Sequence, residues 1–67
     1  MSYYRVKKII DGEEWILYGW EGNIAIWQLA KATQAKKRQY YAHVDDGHRF
    51  KTHTVKEIRE LIVSAVN

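Results

Sequence analysis

At 67 residues the chain holds one domain, near the lower limit of what folds alone, where about 60% of the unfolded surface is buried. It has no cysteine, which excludes a disulfide framework and thiolate metal ligation and leaves packing or a partner to stabilise it. A hydrophobic content of 46%, with three tryptophans and five tyrosines, argues against disorder, and no apolar run approaches the ~20 residues of a membrane-spanning helix.

Met1 to Ile10 alternates polar and apolar residues instead of building the continuous apolar segment of a signal peptide, so the expected location is cytoplasmic. The net charge of +3 is unevenly spread. Lys31, Lys36, Lys37, Arg38, Arg49, Lys51 and Lys56 face only Asp45 and Asp46 within residues 31–56, whereas the flanking stretches are slightly acidic. Clustered positive charge attracts polyanions.

The chain opens on two β-rich runs around Asp11-Gly12, a strong two-residue hairpin signal, and strands are expected at about 3–10 and 13–20. Pairing Ile10 with Glu13 sets Lys8 opposite Trp15, Val6 opposite Leu17 and Tyr4 opposite Gly19. Tyr4, Val6, Trp15 and Leu17 then share a core face. Tyr3, Arg5, Lys7, Ile16, Tyr18 and Trp20 share the other.

Glu21-Gly22-Asn23 ends the hairpin, and Asn23 is a good helix N-cap. Strict alternation fails beyond it, while Ile26, Leu29, Ala30 and Thr33 recur at helical spacing among strong helix formers, which predicts a helix over about 24–37. A strand over 24–32 is the alternative. A second hairpin follows, with strands at 39–44 and 48–52 and Asp45-Asp46-Gly47 as its loop. With Gly47 in a left-handed bulge, Val44 faces His48, Ala42 faces Phe50 and Tyr40 faces Thr52. That leaves Tyr41, His43, Arg49 and Lys51 together on the outer face.

Thr54-Val-Lys-Glu57 is a capping box, and a helix over about 54–65 gathers Val55, Ile58, Leu61, Ile62, Ala65 and Val66 on one face to cover a sheet. Two strand-turn-strand units, each followed by a helix, give a single α+β domain of ββαββα order.

Nothing in the sequence assembles catalytic machinery. The serines, Ser2 and Ser64, lie near the two termini, and the paired carboxylates Glu13-Glu14 and Asp45-Asp46 flank tight turns. His43, His48 and His53 are spaced five and five, which fits no compact zinc pattern, and no glycine-rich phosphate loop occurs. The expectation is a protein that is not an enzyme and takes neither metal nor cofactor.

Binding is the better-supported class. Lys36, Lys37 and Arg38, with Tyr41, His43, Arg49 and Lys51 on the hairpin, combine cations for phosphates with planar rings for bases, and Arg5, Lys7 and Tyr18 extend that surface. DNA and RNA fit equally. A basic run at a helix C-terminus is also favoured by the helix dipole, by about 0.3–1 kcal/mol, whatever the function. The alternative is a protein-interaction or inhibitor module, such as an accessory protein of a phage or mobile element, using Trp20, Trp27 and Lys31. Tryptophans beside cations are hot-spot chemistry, and the same residues would serve a homodimer.

Overall fold

A computed structural model describes residues 6–45 and 47–66. Asp11 and Gly12 both have positive φ, +52° and +79°, the signature of a type I′ turn. They join β1 (Lys7–Ile10) to β2 (Glu13–Glu21) in the expected register, with Ile10 opposite Glu13 and Lys8 opposite Trp15. The Leu17 amide also donates to the Val6 carbonyl at 2.8 Å. The expected pairing of Tyr4 with Gly19, and the placement of Tyr3 and Arg5, fall outside the described residues.

The predicted helix over 24–37 is replaced by a strand. Gly22, at φ +61°, and Asn23 form a second two-residue turn, which sets Glu21 opposite Ile24 and starts β3 (Ile24–Leu29). β3 is the middle strand of a five-stranded antiparallel sheet ordered β1-β2-β3-β4-β5. A middle strand covered on both sides needs no polar alternation, which explains why Ile-Ala-Ile-Trp-Gln-Leu reads ambiguously. Residues 30–39 form no helix either, although Ala, Lys and Gln dominate them. The stretch is short and has no apolar stripe to dock, and propensity alone does not sustain so short a helix. Instead it folds on itself, with the Lys36 amide donating to Thr33 Oγ1 at 2.9 Å and the Thr33 amide to the Lys36 carbonyl.

β4 (Tyr40–Asp45) and β5 (His48–Thr52) form the second hairpin. Ala42 faces Phe50 and Tyr40 faces Thr52, as expected. The register shifts between His43 and Asp45, however, so Asp45 and not Val44 faces His48. Asp46, in the loop, lies outside the described residues. The last element is α1 (Val55–Val66), so among the described residues the order is five strands then one helix, and the α+β class holds while ββαββα does not. The Glu57 amide donates to Thr54 Oγ1 at 3.2 Å, as in a capping box. Glu57 Oε1 accepts the Thr54 hydroxyl at 2.9 Å.

The sheet has two different faces. On the helix face, Ile58 and Ile62 of α1 are buried against Ile26, Tyr40 and Ala42, with Ile24, Val44, Phe50 and Val55 packed around them. On the far face, Trp15, Leu29 and Tyr41 form a second buried cluster, flanked by Ile10 and Trp27, with no helix over it among the described residues. Curling of the sheet closes this second core. Lys51 Nζ of β5 lies 5.9 Å from the Trp15 ring centroid on β2 and 3.9 Å from the Asp11 carboxylate in the first turn. In a flat sheet β5 and β2 would stand about 14 Å apart.

Candidate functional site

Strand register arranges the far face in rows. One row runs Lys8, Trp15, Leu29, and the next runs Leu17, Trp27, Tyr41, Lys51. A third pairs Trp20 with Ala25 on one side and His43 with Arg49 on the other. These pairs share a row because Ile26 and Ala42, the residues next to Ala25 and His43, are themselves partners.

Burial separates these rows. Trp15 is fully enclosed, with its ring 5.8 Å from that of Tyr41, and its indole Nε1 is buried with no hydrogen-bond partner among the described residues. Lys51 roofs Trp15, and Lys8 Nζ sits 5.3 Å from the Trp27 centroid, so cations already occupy the approach to both rings. Trp20 differs, being 56% exposed. Its backbone is anchored from the other side of the sheet, where Arg59 of α1 donates to the Trp20 carbonyl at 3.1 Å and to Glu21 Oε1 at 2.8 Å. Gly19 lies beneath the same guanidinium, and a Cβ there would meet Arg59 Nη2 only at an ordinary contact distance of 4.0 Å. The third row is therefore an exposed indole on a fixed backbone, followed by the small Ala25 and the exposed His43 and Arg49.

The residues singled out from sequence divide between several places. His43, Arg49 and Lys51 do share one face, the face that Trp20 also occupies. Tyr41 does not join them as a free ring. At 5% exposure it belongs to the second core, and Tyr40, at 8%, belongs to the first. The expectation of one buried and one exposed tyrosine fails because the sheet buries both faces there. Lys36 pairs with Glu13, and Lys37 is exposed. Arg38 lines an open cleft of about 300 Å³ with Ile16 and Gln28, and its carbonyl lies 3.2 Å from His53 Nδ1. All three sit in the irregular 30–39 segment and not at a helix C-terminus.

Lys7 and Tyr18 lie on the helix side, where Lys7 pairs with Glu14 at 3.3 Å and Tyr18 meets Tyr40 edge-on at 5.3 Å. They do not extend the far-face surface, and Arg5 is outside the described residues. Lys31 borders a second open cleft, of about 330 Å³, with Ile9, Glu13 and Glu14, at the opposite end of the sheet from Trp20. Trp20 and Trp27 share a face, but Lys31 does not join them.

At the hairpin tip, Asp45 Oδ1 lies 2.7 Å from His48 Nδ1 and accepts the Gly47 amide at 2.9 Å. These contacts, the His48 hydrogen bond first, hold the Asp45 carboxyl below its ordinary value. Among the described residues no three metal-ligating side chains gather.

Sequence reasoning missed the junction of Trp20 with His43 and Arg49, and missed Lys8. A signal for the first was present: Gly22-Asn23 is itself a hairpin dipeptide, and reading it as a turn brings β2, β3 and β4 side by side. No family model matches the chain, and no curated protein and no solved structure matches it.

Proposed function

We propose that this is a non-catalytic nucleic-acid-binding protein of the cytoplasm, contacting its ligand through Trp20, His43, Arg49 and Lys51 on the far face. The observation that carries the reading is the exposed indole of Trp20 in one cross-strand row with His43 and Arg49, next to Lys51. Cations neutralise phosphates and a free aromatic ring meets a base, and the two occur together here on a chain of net charge +3. Lys37 and Arg38, exposed in the 30–39 segment, add to the attraction at longer range.

A titration with DNA and RNA oligonucleotides at low salt, followed by backbone amide and indole NMR shifts, tests the proposal. Shifts should concentrate at Trp20, Ala25, His43, Arg49 and Lys51. Absence of any shift in these residues overturns it. A protein-interaction module is the second reading, favoured by the same exposed Trp20 on one sheet face with an arginine. It predicts association with a protein partner that Trp20→Ala abolishes while oligonucleotides shift nothing.

A further inference from the structure

We infer that the nucleic acid is single-stranded, with Trp20 as the ring on which a base stacks and Arg49 and Lys51 at the neighbouring phosphates. The inference rests on the nucleic-acid reading above and narrows it. Three observations support it.

The first is the chemistry of the exposed ring. Trp20 is more than half exposed and stands in a row with His43 and Arg49. In a duplex every base face is covered by its neighbours, and a protein reaches only base edges and phosphates. An indole face is useful where bases are unstacked and can lie against it. Between Trp20 and His43 the row carries only the small side chain of Ala25.

The second is what the second hairpin does not offer to a duplex. A two-stranded ribbon can enter a major groove when it projects freely. Here α1 covers the helix side of β4 and β5, burying Ala42 and Tyr40 and half-burying Phe50. The tip that would lead the ribbon in carries the exposed Asp45, whose charge opposes entry between two phosphate backbones.

The third is the difference between the tryptophans. Trp15 is enclosed under Lys51, and the Trp27 ring is approached by Lys8. Trp20 is the open one, so stacking begins there. Lys8, held by a cation–π contact with Trp27 and no stronger bond among the described residues, is free to turn toward a phosphate when a strand arrives.

Fluorescence anisotropy provides the test, using labelled oligothymidine and oligouridine of 12 nucleotides and a 20-base-pair duplex, each titrated with the full chain at 50 mM salt. The single strands should bind at least tenfold more tightly than the duplex. Trp20→Ala should weaken single-strand binding by about 5- to 150-fold, the range for losing one base–aromatic stack, with Trp20→Phe restoring most of it. Arg49→Gln, at an exposed position, provides a variant that does not depend on the indole, and should weaken binding of every oligonucleotide. Equal binding of duplex and single strand, or full binding by Trp20→Ala, overturns the single-strand inference and leaves the broader reading standing. Binding of neither overturns both.

Discussion

Lys51, on the last strand of the sheet, holds its ammonium 3.9 Å from the carboxylate of Asp11 in the first turn. The two residues belong to opposite edges of a five-stranded sheet, and their approach records the curl that encloses Trp15. Because the pair is exposed, its charge attraction contributes little, whereas the aliphatic stem of Lys51 covers part of the second core. Asp11→Asn, which keeps a good type I′ turn sequence, should change stability by less than about 0.5 kcal/mol. Lys51→Ala should cost about 1 kcal/mol through lost packing. Urea unfolding of both variants checks the difference, and equal losses would make the ion pair the main contributor.

The turn at Gly22 decides whether residues 24–29 form a strand. With φ at +61° it occupies the left-handed region, so Gly22→Val should destabilise the fold by about 1–2 kcal/mol or more. Gly19→Ala is the control. Its added Cβ meets only the end of Arg59 at ordinary contact distance, and thermal or urea unfolding should register a change within about 0.5 kcal/mol.

The hairpin tip should carry an acid-sensitive contribution. Hydrogen bonds from His48 and Gly47 depress the folded-state value of Asp45 below the ordinary aspartate value of about 3.9, so its contribution is fully present above that value. It is lost as pH falls through the lower, folded value. Carboxyl carbon NMR should show Asp45 titrating below an ordinary aspartate, and His48→Ala should move its midpoint upward. A midpoint unchanged by His48→Ala would contradict the assignment of the shift to that contact.

How much of this was legible in the sequence depended on whether a signal was local. Asp11-Gly12 fixes both dihedrals of its turn and therefore the register of β1 with β2, and Thr54 with Glu57 marks the start of α1 by bonds within one turn. The middle strand was not legible in that way. Ile26 lies under α1 while Trp27 lies against the Trp15 cluster, so both faces are apolar and the period-2 pattern disappears. With that pattern gone, the helix-forming residues from Ala30 onward are the stronger local signal, and they point to a helix.

The candidate site was partly legible for the same reason. His43, Arg49 and Lys51 were placed together correctly because hairpin pairing is local. Tyr41 was misplaced because its burial depends on Trp15, distant in sequence and reached only by curling of the sheet. Trp20 and Trp27 read as a separate surface in the sequence because it is β3, a strand without a period-2 pattern, that joins the two hairpins into one sheet.

Function rests on whether the row of Trp20, His43 and Arg49, with Lys51 next to Arg49 on β5, meets a polyanionic strand. Tryptophan fluorescence, followed while a single-stranded oligonucleotide is titrated at several salt concentrations, tests this most directly. Emission should be quenched on binding, and log K should fall against log salt with a slope of about −1.5 to −2, as two to three neutralised phosphates on a single strand require. Arg49→Gln should make that slope shallower by about 0.7. Affinity independent of salt, or no quenching at the lowest salt, would contradict the account.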